Sequence, residues 1–230
     1  MRAALVVSVA LVAGCASTPP EPVGQKPVVG TPTSAPPISE AKASALLAAL
    51  PRRPRTAGSL GYVRSAFGPA WEDIDGNGCN QRDDVLLRDG VAGTVRVQRQ
   101  GRCDHDVLAG AWVDPYTGAR LVFDDLKDLH QAQAIQIDHV VPLAEVWVSG
   151  ASAWSPRRRL RYANDLGDLV AASGPVNESK GSSDPAAWRP KKAYQCSYAA
   201  RWIQIKARWR LAVDPSEVVA LEDMLQRCSA

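Results

Sequence analysis

The stretch IQIDHVVPLAEVW, residues 135–147, decides the fold. Asp138 and His139 stand side by side in a run of β-branched and apolar residues, a pattern typical of a buried strand. Pro142 ends this strand and begins a helix over PLAEVWVSG. Burying an ionised carboxylate is costly unless a partner or a cation compensates its charge. The pair therefore indicates a functional site at a strand end, and the alternative is a core histidine bonded to a backbone carbonyl.

The segments on either side of this stretch predict an α+β domain. After it, DLVAAS is typical of a second strand and GPVNESKG of a helix or helical turn. Before it, VLAGAWV and ARLVF flank DPYTG, which predicts a β-hairpin. A first helix begins after Ser39, and KKAYQCSYAARWIQIKARWRL with DPSEVVALEDMLQRC predicts a C-terminal helical hairpin.

The charge of the 230-residue chain is unevenly distributed. A hydrophobic content of 46% and a charged content of 22% exclude a disordered protein. Residues 71–128 hold 7 Lys/Arg against 12 Asp/Glu, whereas residues 157–210 hold 12 against 4. A basic segment of this kind suits a polyanion such as nucleic acid. The alternative is a solvated surface of an Arg-rich protein.

The N-terminus has the pattern of an export signal. The apolar run AALVVSVALVAG is too short to span a bilayer, so residues 1–14 are interpreted as a signal peptide. The end of this run together with Cys15 reads LVAGC and resembles a bacterial lipobox, which implies lipidation of Cys15 and anchoring on the outer face of a membrane. Without lipidation the protein would be secreted. Residues 15–40, rich in Pro, Ser and Thr, are typical of a tether before a folded domain over 41–230.

Cysteine usage agrees with export. Four cysteines remain after Cys15, and an even number in an exported chain predicts two disulfides. Cys196 and Cys228 lie at similar distances from the turn of the helical hairpin, about 20 Å at 1.5 Å per residue. Antiparallel helices would place them opposite each other, so we favour Cys196–Cys228, which leaves Cys79 with Cys103.

A second acidic motif, DIDGNGCNQRDD, resembles an EF-hand calcium loop. Asp73, Asp75, Asn77 and Asp84 stand at its first, third, fifth and twelfth positions, although the twelfth is usually Glu. The spacing is compatible with a structural Ca²⁺ site, but the missing Glu favours a turn without calcium. Such an acidic turn would be fixed by Cys79.

Three segments together resemble the HNH, or ββα-metal, endonucleases: DHVVPL, the strand DLVAAS, and VNESKGSSDP on a helix. The resemblance is strongest to an exported bacterial group related to the C-terminal domain of GmrSD-type restriction enzymes, and it extends to GCNQRDDVLLRD, DPYTG and ANDL. It implies a ββα-metal core with added helices. It also implies an endonuclease that hydrolyses DNA or RNA outside the cytoplasm with Mg²⁺ or Mn²⁺, and no protein partner is predicted.

The resemblance also implies roles for individual residues. Asp138 would bind the metal, and Asn177 would be its second ligand. His139 would activate water as the general base, for which an imidazole is suited near neutral pH. Lys180, on the same helix as Asn177, would contact phosphate.

One position departs from the family motif. Asp168 stands where the motif has an asparagine that orients the base. An aspartate there would accept a hydrogen bond from Nδ1 of His139, and Asn164 is an alternative for the same role. The departure also supports a rival interpretation, a non-catalytic envelope lipoprotein that uses the fold as a binding module.

The basic segment supplies the candidates for phosphate contact. Such contacts would be independent of sequence and sensitive to salt. The candidates on one predicted helix are Arg157, Arg158, Arg159 and Arg161.

Overall fold

The computed structural model describes residues 38–54 and 61–229, so the signal peptide, Cys15 and most of the tether lie outside the described residues. Short 3₁₀ helices cover Arg64–Phe67, Ala151–Ala153, Lys192–Tyr194 and Gln226–Ser229. The helices and strands are α1 (Glu40–Ala49), α2 (Gln81–Asp89), β1 (Arg96–Gln100), β2 (Cys103–Val113), β3 (Arg120–Phe123), α3 (Leu129–Ala134), β4 (Ile135–His139), α4 (Leu143–Val148), α5 (Pro156–Ala163), β5 (Leu169–Ser173), α6 (Gly174–Lys180), α7 (Gln195–Trp209) and α8 (Pro215–Leu225).

The strand with the Asp-His pair is β4, and it pairs antiparallel with β5. In this register Asp138 lies opposite Val170, and His139 lies opposite Leu169. Helix α6 begins directly after β5 and packs against both strands. The two strands and this helix therefore place the end of β4 beside the start of β5.

A second, three-stranded antiparallel sheet has the order β1-β2-β3. Helix α2 packs against β2 of this sheet and against β5 of the strand pair. Its apolar face, with Val85 and Leu86, shares a core with Trp112, Ile135 and Leu169. The indole of Trp112 donates to the Leu86 carbonyl over 2.8 Å. The predicted hairpin around DPYTG is confirmed, because β2 and β3 flank it.

A second hydrophobic core lies on the other side of the strand pair. Its buried side chains come mainly from the helices α1, α4, α5, α7 and α8. Ser39 caps α1 as predicted. The helical hairpin is confirmed: Arg210, in the left-handed conformation, ends α7, and Asp214 with Glu217 forms a capping box at the start of α8. Within the described ranges, none of the helices combines the length and the apolar character needed to cross a bilayer.

Both expected disulfides are present. Cys79 pairs with Cys103, and Cys196 pairs with Cys228, with Cα–Cα distances of 4.4 and 5.0 Å. The first joins the loop before α2 to the start of β2, and the second joins α7 to the segment after α8. The chain is therefore an α+β protein with two disulfides and a C-terminal helical hairpin.

A buried lysine connects three helices of the larger core. Lys206 is fully enclosed, and its ammonium lies 2.9 Å from Glu145 of α4 and 2.7 Å from Glu217 of α8. It also donates to the hydroxyl of Ser149 and to the carbonyl of Ala212, each over 3.0 Å. Burial raises the pKa of Glu217, and the charge of Lys206 opposes that rise. The apolar spacing of α7 did not predict this ionic cluster.

Candidate functional site

Asp138, at the end of β4, is enclosed by its partners and only 6% exposed. The Tyr116 hydroxyl donates to its Oδ2, and the Lys180 ammonium lies 3.1 Å from Oδ1 and 3.0 Å from Oδ2. Lys180 is fully buried and also donates to the carbonyl of His139 over 2.8 Å. Burial raises the pKa of Asp138, while the charge of Lys180 lowers it. The ammonium therefore supplies the compensating charge that a buried carboxylate requires.

His139 is also only 6% exposed, and its ring is held in a fixed orientation. Its Nε2 lies 2.8 Å from the carbonyl oxygen of Ala163. Since a carbonyl only accepts, Nε2 carries the proton and Nδ1 keeps its lone pair. The ring stacks with Trp71 and with Tyr162, at centroid distances of 6.3 and 6.4 Å. Burial lowers the pKa of His139 to about 3, so the imidazole is neutral at physiological pH.

Asp168 contacts the chain that follows His139 rather than its ring. Its Oδ1 accepts from the amide of Val141, and its backbone carbonyl accepts from the amide of Val140, each over 3.0 Å. Burial raises the pKa of Asp168 to about 8. In the described part of the chain no hydrogen bond joins Asp168 to His139. Asp168 was expected to accept a hydrogen bond from Nδ1 of His139. Its carboxyl group instead accepts from the backbone amide of Val141, in the 140–141 turn.

Asn164 ends α5 and connects it to the segment before the acidic loop. Its amide nitrogen donates to Leu160 over 3.0 Å, and its Oδ1 accepts from the amide of Glu72 over 2.9 Å. The residue before it is Ala163, whose carbonyl holds His139. Asn164 therefore fixes the chain on both sides of the imidazole without contacting the ring.

The expected metal ligands already have partners at this site. The oxygens of Asp138 and the carbonyl of His139 are hard donors of the kind that Mg²⁺ prefers, but all three surround the ammonium of Lys180. The amide nitrogen of Asn177 donates to Gln136 over 2.8 Å. A divalent ion does not fit in front of Asp138 together with Lys180, because two cations would occupy one position.

The basic candidates divide into two groups. Arg157 and Arg161 are exposed. Arg158 lies 4.2 Å above the ring of Trp154, and Arg159 donates to backbone carbonyls such as that of Ala66. Only the first two are placed for phosphate contact. Lys180 is not placed for it either, because its ammonium is buried in the interior.

The acidic loop brings Asp73, Asp75, Asn77 and Asp84 together. Asp73 accepts from two glycine amides of the loop, at 2.8 and 3.0 Å. The amide nitrogen of Asn77 donates to Asp84 over 2.9 Å, and its backbone amide faces Asp75. The loop thus satisfies several of its own carboxylates, as an acidic turn does. Calcium binding at this loop stays a prediction.

His105 was not anticipated, and it supplies a positive charge beside the loop. Its Nε2 lies 2.7 Å from Asp84, and its Nδ1 lies 2.7 Å from Asp104. The bond to Asp84, strengthened by Asp104, raises the pKa of His105 to about 9. The sulfurs of Cys79 and Cys103 lie near the same ring, but they are joined in a disulfide and offer no thiolate to a metal.

Replacing His105 with glutamine should destabilise the protein below neutral pH and much less in alkali. Because the folded pKa lies above the unfolded value of about 6.5, the stabilisation is complete below pH 6.5 and disappears as the pH rises through 9. Partial exposure screens the pair, so we expect a loss of about 1 to 2 kcal/mol near pH 6. Urea unfolding at acidic and alkaline pH measures it. Equal losses at both pH values would contradict the charge pairing.

Two aromatic residues of the site were also missed by the sequence analysis. Tyr116 belongs to the hairpin turn DPYTG, yet its side chain is buried against Asp138. Trp71 has a positive φ of 60° and stacks on His139. A bulky residue in the left-handed region is strained, and such strain concentrates at functional positions. No pattern in the sequence marks either contact, since both join segments distant along the chain.

Comparison with known proteins finds a matching family and a relative of similar length. Residues 81–222 match the family described as GmrSD restriction endonucleases, C-terminal domain. An uncharacterized secreted protein of Arthroderma benhamiae is 38% identical over 203 residues, which cover 87% of this chain and 90% of the relative. No solved structure matches the chain. The matched segment includes β4, β5, α6 and the Asp-His pair. The chain belongs to the family of GmrSD restriction endonuclease C-terminal domains.

Proposed function

We propose that the protein is a nuclease that hydrolyses phosphodiester bonds of nucleic acid outside the cytoplasm, with His139 as the general base. The observation that carries this proposal is the hydrogen bonding of the His139 imidazole, which leaves one ring nitrogen free to accept a proton. Its Nε2–H is fixed by Ala163, and Nδ1 has no hydrogen-bond partner among the described residues. A neutral imidazole held in this way can take a proton from water once a phosphate bound beside it raises the pKa of His139 from about 3 towards neutrality. The family supports a nuclease-related function.

The residues around His139 would hold the imidazole in place, and two exposed arginines would bind the substrate. The carbonyl of Ala163 would stabilise the imidazolium formed when Nδ1 takes a proton, and Trp71 and Tyr162 would keep the ring plane fixed. The exposed Arg157 and Arg161 would neutralise phosphates that flank the scissile bond. Such contacts fix the substrate without reading its sequence, and binding would weaken as the salt concentration rises.

A ββα-metal core is part of the proposal. The order β4, β5, α6, with the helix packed on both strands, agrees with the two-strand-and-helix arrangement of that core. The resemblance implies that a divalent ion, Mg²⁺ or Mn²⁺, supplies charge stabilisation when bound. Binding at Asp138 would require Lys180 to leave its present position. The metal requirement therefore stays a prediction of the resemblance, and Asn177 stays its proposed second ligand.

Export is supported by the relative, which is described as a secreted protein. Two disulfides agree with an oxidising compartment. Lipidation at Cys15 and anchoring to a membrane are proposals that depend on the lipobox-like sequence alone. The sequence pattern equally allows release of the mature chain after signal cleavage.

Cleavage of supercoiled plasmid and of single-stranded RNA tests the function. We expect nicked or shortened products with Mg²⁺ or Mn²⁺, and none when EDTA is in excess. No cleavage of DNA or RNA with either metal would overturn the proposal. Cleavage that persists in EDTA would keep the nuclease and remove the metal requirement, leaving Lys180 as the resident cation of Asp138.

A second candidate function is a non-catalytic binding module. The observation in its favour is that Asp138 is already neutralised by Lys180 and that His139 is almost fully enclosed. This alternative predicts salt-sensitive binding of nucleic acid without any product. A gel shift with unchanged substrate after long incubation with metal would favour it over the nuclease.

A further inference from the structure

A pocket of about 480 Å³ lies between the acidic loop, the end of α5 and the end of α7. This volume is in the range of small-molecule sites. Its walls combine apolar, cationic, amide and carboxylate groups, contributed in part by Gln81, Arg161, Asp165, Arg208 and Trp209. Asn164 and Asp75, a catalytic candidate and a calcium candidate, also line it, so the pocket adjoins both of those sites.

Gln81, the first residue of α2, is the unusual group in this wall. Its side chain is fully buried, and neither its amide nitrogen nor its amide oxygen has a hydrogen-bond partner among the described residues. Buried amides are nearly always paired, since an unpaired one forfeits its bonds to water. A ligand that presents an acceptor and a donor side by side would satisfy both atoms once the Gln81 side chain turns towards the pocket.

The remaining walls restrict the kind of ligand. The indole nitrogen of Trp209 donates to Asp165 over 2.8 Å, so the surface that this ring adds to the pocket is apolar. Arg208 lies 2.5 Å from the same carboxylate, whereas Arg161 is exposed and without a partner in the described part of the chain. Such walls suit a flat ring with a polar edge and a nearby negative charge. A nucleobase with its phosphate has these properties.

The position of the pocket links it to the Asp-His site. Asn164 lines the pocket, and the carbonyl of the preceding Ala163 accepts from Nε2 of His139. A nucleotide in the pocket would therefore be a near neighbour of one at the imidazole. A base enters such a pocket only when it is unstacked and unpaired, which is cheapest in a single strand.

We propose that this pocket is a nucleobase subsite that takes one unstacked base of a single-stranded nucleic acid. The base edge bonds to the amide of Gln81, its face packs on Trp209, and Arg161 binds the adjoining phosphate. The inference rests on the proposed nuclease function and extends it, because it makes single strands the preferred substrate class over duplexes.

The test measures binding in EDTA by fluorescence anisotropy, with a gel to verify that the oligonucleotide stays intact. The probes are a short fluorescein-labelled single strand of mixed sequence and the same sequence in a blunt duplex hairpin. We expect tighter binding of the single strand. Gln81→Met keeps the length of the side chain and removes both hydrogen-bonding atoms, so it should weaken single-strand binding about tenfold and leave duplex binding unchanged.

The controls separate a binding role from a structural one. Because the Gln81 amide is unpaired, Gln81→Met should leave Tm unchanged or raise it. Arg161→Ala should weaken single-strand binding more than Arg120→Ala, which removes an exposed charge from β3. Wild-type affinity in Gln81→Met would overturn the subsite, as would weaker binding together with a lower Tm.

The outcomes for the two proposals are independent. Gln81-dependent binding without cleavage in metal would overturn the nuclease and retain the subsite as the recognition element of a binding module. Cleavage with no dependence of binding on Gln81 would retain the nuclease and overturn the subsite.

Discussion

Replacing His139 with alanine should reduce phosphodiester cleavage by about a hundredfold or more, the contribution typical of a positioned general base. The ring is the neutral proton acceptor of the proposed site, with Nδ1 unpartnered among the described residues. Without it, water would have to lose its proton to bulk solvent. Initial rates of plasmid nicking at saturating Mg²⁺ measure the effect.

Because His139 is buried, replacing it with alanine also removes packing, so two further variants serve as controls. His139→Gln retains a donor near the position of Nε2 for the carbonyl of Ala163 and removes the basic nitrogen. It should be as inactive as the alanine variant while unfolding at a temperature closer to wild type. His130→Ala, at an exposed position of α3, is the matched control and should keep full activity. Activity near wild type in His139→Gln would contradict the assignment of the base.

Replacing Lys206 with methionine should lower the free energy of unfolding by about 3 to 5 kcal/mol, the usual loss when a buried ion pair is broken from one side. The change leaves Glu145 and Glu217 buried without the ammonium that lies between them. The expected loss is a large part of the stability of an ordinary domain. Urea unfolding at neutral pH, followed by circular dichroism, measures it.

Two further variants show whether the loss of stability comes from charge or from packing. Lys192→Met, at an exposed position before α7, removes the same charge and should change stability by less than about 0.5 kcal/mol. Adding Glu145→Gln and Glu217→Gln to Lys206→Met removes the uncompensated charges and should recover part of the loss. If the triple variant is no more stable than Lys206→Met, the loss comes from packing rather than charge.

Local patterns predicted the elements of this fold well. The apolar run before Asp138 and the proline at 142 placed β4 and α4, and the caps at Ser39 and Asp214 placed the starts of α1 and α8. These signals act over a few residues, where backbone propensity and capping decide the structure. The pairing of Cys196 with Cys228 followed from helix geometry alone.

The partners within the site could not be predicted in the same way. Lys180 belongs to a short helix rich in polar residues and was expected near phosphate, but it lies inside the protein on Asp138, 42 positions earlier. Asp168 was expected at the imidazole and instead bonds to the 140–141 turn. Each of these contacts joins two segments whose approach depends on the packing of β4, β5 and α6. A single sequence does not encode that approach in any local pattern.

The Cys79–Cys103 disulfide would make the proposed activity depend on the redox state of the compartment. It fixes the loop that leads from Trp71, stacked on the imidazole, to Gln81 in the pocket wall. In a reducing cytosol the bond would not persist, and this loop would lose its covalent link to β2. A nuclease built in this way would be least competent where the cell's own nucleic acid is present, and would become competent only after export.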